Sequence, residues 1–130
     1  MKQDSRPINV GMADLMSFRW PVTALASIAH RIAGGLLFVG VALMLYAFDM
    51  SLSSEAGFEY LSNAIVSPVG KFLTWVLLSA LVYHLIAGIK HLFMDMGIGE
   101  TLEGGVFAAR LTLFFSAILI VLAAIWVFGG

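Results

Sequence analysis

Cysteine is absent from the 130 residues, which excludes a disulfide framework, thiolate zinc sites and iron–sulfur ligation by this chain. Any redox role must use borrowed chemistry. Charge is scarce as well. Asp, Glu, Lys and Arg make up 12% of the chain and leave a formal net charge of -1, so no general attraction to nucleic acid is expected. The first twenty residues also lack the form of a removable signal. Lys2, Asp4, Arg6 and Asp14 interrupt them, no short apolar run ends in a small-residue cleavage site, and the acidic residues argue against a transit peptide. They are read as a cytoplasmic or interfacial part of the mature chain. There is no internal repeat and no low-complexity tract.

Apolar surface is what the chain has in excess. It is 61% hydrophobic, more than a single core of this size can hide, so an integral membrane protein is expected. Three stretches lack acidic and basic residues other than histidine: Ile32–Phe48, Phe72–Ile89 and Leu111–Phe128. With their flanking turns they approach the roughly 20 residues needed to cross hydrocarbon. Backbone in lipid must bond to itself, which makes them helices. The expectation is one all-α membrane domain with transmembrane helices over about 21–48, 69–94 and 108–128.

Lys and Arg set its direction. Lys2, Arg6, Arg19 and Arg31 precede or open the first span, and Lys90 and Arg110 flank the second loop, while only Lys71 borders the first loop. The positive-inside rule then places the N-terminus in the cytoplasm and the C-terminus in the periplasm. Trp20 and Trp126 suit the two interfacial belts. In the first loop, Ser54 is placed to cap a short surface helix, with Glu55 in its first turn and Phe58, Leu61 and Ile65 at helical spacing. Ser67-Pro68 starts the second span. The second loop, "DMGIGETLEGG", has four glycines and reads as an irregular connection.

The first span opens on "SIAHRIAGG", with Ser27, His30 and Arg31 on one face. Two readings stand side by side. In one, Arg31 snorkels and Ser27 bonds to its own backbone, forming an interfacial anchor. In the other, the turn receives a partly polar ligand from the lipid or the acidic edge of a cofactor. Ala26, Ala29, Ala33, Gly34 and Gly35 allow close approach of a helix or a flat ligand.

On the second span, His84, Gly88, His91 and Asp95 are spaced 4, 3 and 4 apart, with Ala80 one turn earlier. They share a helix face. Small residues on both sides of His84 suit axial ligation of a haem, whereas no carboxylate or second histidine reaches it at zinc spacing. A histidine bonded across helices is the alternative. His91 can simply pair with Asp95, and Tyr83 points away from the stripe and is read as packing. His84 lies about ten residues from Met94, roughly 15 Å deep, whereas His30 is within about one turn of an edge placed near Ile28. The two imidazoles are expected to differ in level by about two turns, so a second haem ligand must come from a partner chain.

These motifs resemble, end to end, the cytochrome b-type membrane anchor of bacterial succinate dehydrogenase, respiratory complex II. One is Arg6-Pro7 followed by Ser27, His30 and Arg31, with Ala33 where Ser or Thr is usual; the other is "HLIAGIKHLFMDMG", with Lys90 in an arginine position. Lys90 keeps the charge and loses the planar fork.

The resemblance implies that His84 is an axial ligand of haem b, with the other ligand from a second three-helix anchor subunit. It implies His30 and Arg31 near the haem propionates, Ser27 and Arg31 at ubiquinone, and Asp95 near that site. It further implies a flavoprotein that oxidises succinate, an iron–sulfur subunit on the cytoplasmic face, and residence in the bacterial inner membrane. The chain would be non-catalytic by itself. An anchor of a menaquinol-dependent fumarate reductase and a cofactor-free structural subunit are the rival readings. A transporter fits poorly, since His84 is the only ionisable residue deep in a span.

Overall fold

The computed structural model describes residues 10–130, in which five helices occur and no strand. Helix α1 is Met12–Ser17, α2 Val22–Ser53, α3 Glu55–Val66, α4 Pro68–Asp95 and α5 Leu102–Gly129. Arg6-Pro7 lies outside the described residues. Helices α2, α4 and α5 have 32, 28 and 28 residues and are long and apolar enough to cross a membrane. At about 1.5 Å per residue each exceeds a hydrocarbon core of roughly 30 Å.

The helix ends have local causes. The Ser54 hydroxyl accepts from Gly57 N at 2.9 Å and caps α3, and the Ser67 hydroxyl accepts from Gly70 N at 3.1 Å and caps α4. Helix α2 runs past Phe48 to Ser53 because Ser51 and Ser53 turn their hydroxyls back onto the carbonyls of Phe48 and Met50 instead of breaking the turn. The first connection is therefore almost entirely helical: one extended residue, Ser54, separates α2 from α3, and one, Ser67, separates α3 from α4.

The second connection is shorter than its four glycines suggest. Only Gly97 and Gly99 take positive φ, at 83° and 76°, and turn the chain. Gly104 and Gly105 are helical, because the Thr101 hydroxyl accepts from Gly104 N and starts α5 at Leu102. Arg110 thus lies about two turns inside α5, which begins at Leu102 instead of near residue 108.

The core is made of small residues. Ala26, Ala33, Ala80, Ala87 and Ala109 are buried, and Tyr83 is the one large side chain among them. Ala33, Ala80, Tyr83 and Ala87 form one cluster, flanked by Ala29 and Leu37 of α2 and Leu113 of α5. Such residues let helix backbones approach in a medium that offers no hydrophobic drive between helices. Large side chains face outward instead, among them Phe38, Phe72, Phe114 and Trp126. At the far end, Trp75 Nε1 donates to the Ile120 carbonyl and Lys71 Nζ to that of Gly130, both at 3.1 Å, tying α4 to α5.

Candidate functional site

The polar residues of α2 and α4 meet near the α2 N-terminus. The His30 ring lies 4.4 Å from that of His84 and 5.2 Å from that of His91, tilted by 36° and 31°. The three imidazoles form a column across the two helices with His30 in the middle. Rings so tilted present faces to one another, and no group of three His, Asp or Glu among the described residues is arranged to hold a metal ion. The cluster is a stack, not a zinc site.

This geometry corrects the expectation that His30 and His84 differ in level by two turns. The start of α2 at Val22 is close to the expected 21, so the difference lies in how α2 and α4 slide past each other, which brings the two rings to 4.4 Å. Counted from the helix ends, His30 is 8 residues beyond Val22 and His84 is 11 before Asp95. The remaining offset is about three residues, or roughly one turn.

His84 is held by two features. Its Nδ1 faces the His30 carbonyl at 3.4 Å, a long contact that is a hydrogen bond in the tautomer with the proton on Nδ1. That tautomer leaves Nε2 with its lone pair, the form in which imidazole ligates iron. The second feature is Gly34. A Cβ built there would lie 3.2 Å from His84 Cε1, so the ring rests on bare backbone. Gly88, one turn beyond His84, has nothing within 4 Å of its own notional Cβ, so space is open on that side. Ala80, on the other side, is buried in the α2–α4 contact and serves packing. Only half of the small-residue frame read from the sequence is therefore open. The donor set nonetheless suits an axially bound macrocycle: a fixed imidazole with a free lone pair beside an unfilled face.

His30 has its own vacancy of partners. Its Nε2 is buried and has no hydrogen-bond partner among the described residues. Buried polar atoms are rarely left so. Ser27 is half-buried and Arg31 exposed on the adjoining part of α2. Asp95 is exposed at the last position of α4, and no hydrogen bond joins it to the histidines. The arrangement thus brings His30, His84 and His91 together, keeps Ser27 and Arg31 next to them, and leaves Asp95 at the rim.

Two residues gain weight that sequence reasoning withheld. His91 stacks on His30, a contact signalled only by its seven-residue spacing from His84. Tyr83 packs in the core, and its hydroxyl also donates to the Ala26 carbonyl at 2.7 Å. No local pattern could have shown that partner, 57 residues away.

Comparison with known proteins places the chain in a family. Residues 4–125 match the family described as succinate dehydrogenase/fumarate reductase transmembrane subunit. The chain is 38% identical over 123 residues to the succinate dehydrogenase cytochrome b556 subunit of Coxiella burnetii, covering 94% of this chain and 96% of that one. It is 31% identical to the cytochrome b556 subunit of Paracoccus denitrificans over 103 residues, covering 79% and 77% of the two chains. A cytochrome b560 subunit from Reclinomonas americana is 32% identical over 104 residues, 76% of this chain and 70% of its own. The chain belongs to the family of succinate dehydrogenase and fumarate reductase transmembrane subunits, as a cytochrome b-type anchor, and is a multi-pass inner-membrane protein.

Proposed function

We propose that this chain anchors a succinate:quinone oxidoreductase, holds haem b through His84, and forms part of the site where ubiquinone is reduced. The observation that carries the reading is the His84 imidazole, seated on Gly34 with Nδ1 turned to the His30 carbonyl and Gly88 open beside it. Bound there, haem supplies a one-electron store whose potential follows its ligation and burial. The buried, partnerless His30 Nε2 favours a carboxylate neighbour, which suits His30 and Arg31 as holders of the haem propionates. The other ligand would come from a second three-helix anchor subunit, which the likeness to the family's membrane anchors supports.

Ser27 and Arg31 are the residues offered to quinone. Ser27 donates a hydrogen bond to a quinone carbonyl, a bond that strengthens as negative charge develops on the oxygen. Arg31 adds a charge-assisted bond to the same developing charge. Asp95, exposed at the end of α4, is placed to exchange protons with water near that site. Electrons would arrive from an iron–sulfur subunit, itself served by a flavoprotein that oxidises succinate. Arg19, Arg31, Lys90 and Arg110 lie toward one end of the antiparallel bundle and Lys71 toward the other, which supports a cytoplasmic N-terminus and a periplasmic C-terminus.

The test uses the purified complex. His84→Leu should alter or abolish the reduced-minus-oxidised haem spectrum, and an unchanged spectrum would refute the ligand assignment. Ser27→Ala and Arg31→Leu should each slow quinone reduction by on the order of 100-fold, while succinate oxidation with a soluble artificial acceptor persists. Full quinone reduction in both variants removes the site. The family also contains fumarate reductase subunits. Assays in both directions, with the bound quinone identified, separate that reading.

A further inference from the structure

Two of the residues that α4 turns toward the polar end of α2, Tyr83 and His84, each reach a main-chain carbonyl of α2. Tyr83 Oη donates to Ala26 at 2.7 Å, and His84 Nδ1 faces His30 at 3.4 Å. Ala26 and His30 are four residues apart, so their carbonyls stack one turn apart along α2. The residues that follow them are Ser27 and Arg31. One dipeptide of α4 therefore grips two consecutive turns of α2, and each gripped residue immediately precedes a residue assigned above to quinone.

The two bonds are unequal. The tyrosine bond is short, and Tyr83 is 7% exposed, so it is shielded from competing donors. The histidine contact is at the long end of the range for an N–H donor. The short bond fixes the distance between the helices at which the long one survives.

We infer that Tyr83 is a positioning residue: its hydroxyl holds the Ser27–Arg31 turn of α2 in register with His84, and so couples the geometry of the quinone site to the hydrogen bond of the haem ligand. This rests on the function proposed above and adds a residue and a route to it. The hydroxyl is not needed to build α2, because the helix bond from His30 N to the Ala26 carbonyl remains without it. Nor is it needed to fill the core, since the ring alone packs among Ala33, Ala80 and Ala87. What it adds is registry.

Tyr83→Phe removes only that bond. In the assembled complex the apparent KM for quinone should rise about three- to tenfold, the range expected for loss of one neutral hydrogen bond. Succinate oxidation with a soluble acceptor should not change. The haem potential should move upward. As the His30 carbonyl drifts from Nδ1, the imidazole becomes less basic and favours oxidised iron less. Ala87→Gly, which loosens the same interface without touching either bond, should lower thermal stability and leave potential and KM alone.

If Tyr83→Phe does not assemble, replacing Tyr83 with a ring-fluorinated tyrosine keeps the hydroxyl and makes it a stronger donor, and the potential should then move downward. Unchanged potential and KM in Tyr83→Phe, no downward shift on fluorination, or equal shifts in Ala87→Gly each overturn the inference. Failure of the underlying reading looks different. There His84→Leu leaves the spectrum unaltered, and both proposals fall together.

Discussion

The two ends of the α2–α4 pair are stabilised in opposite ways. Around α3, the helix-end groups are satisfied by close neighbours in sequence, and the longer bonds from Lys71 and Trp75 to α5 leave neither of those side chains waiting for a partner. Ser54 caps onto Gly57, Ser67 onto Gly70, and Ser62 donates to the Phe58 carbonyl four residues back. At the histidine end, the decisive contacts run from Tyr83 to Ala26 and from His84 to His30, across 57 and 54 positions. One buried nitrogen there, His30 Nε2, has no partner among the described residues. The first end is complete in itself. The second is built to be finished by another molecule, which is what a site for a cofactor and a redox substrate requires.

The strongest way to break that comparison is to damage the self-contained end and look at the other. A Cβ at Gly70 would overlap the Ala64 carbonyl, a backbone atom with no freedom to move aside. Gly70→Ala should cost about 3 kcal/mol or more and reduce assembly of the complex, read as thermal stability and yield in detergent. Assembled Gly70→Ala complex of ordinary stability would show that the α3–α4 junction is looser than its caps suggest.

A smaller effect sharpens the histidine end. Gly34→Ala pushes a methyl to 3.2 Å from His84 Cε1, while Gly35 has nothing within 4 Å. Gly34→Ala should cost about 1–2 kcal/mol and shift the haem band or lower its occupancy, whereas Gly35→Ala should leave both as they are. Equal behaviour of the two variants would mean that the imidazole does not rest on α2 in the assembled protein.

The same contrast explains what could be read in advance. Caps are local, so Ser54, Ser67 and the surface helix between them were visible as short-range patterns. The three spans were visible because their composition alone separates them from the rest. The level of His30 against His84 was not. It depends on how two helices slide past each other, and that is decided by alanine contacts and one tyrosine bond far apart in sequence. Thr101 was missed for another reason: the glycines after it, Gly104 and Gly105, resemble a loop, yet a capped helix tolerates them. Asp95 remains at the rim, and nothing in this chain ties it to Ser27 or Arg31.

The smallest effect tests whether the two ends are independent. Helix α3 has 12 residues, a length at which helix formation in isolation is marginal. The Ser54 hydroxyl satisfies one of its free N–H groups, and Glu55 complements its positive end. Ser54→Ala should therefore cost about 1 kcal/mol, which corresponds to roughly fivefold faster hydrogen exchange in the first turn of α3. The imidazole column lies on α2 more than 20 residues before this cap, and on α4 across Ser67 from α3. Haem spectrum and quinone kinetics should accordingly match the parent protein. A spectral change in Ser54→Ala would mean that α2 transmits fraying along its length, and the division into a closed end and an open end would fail.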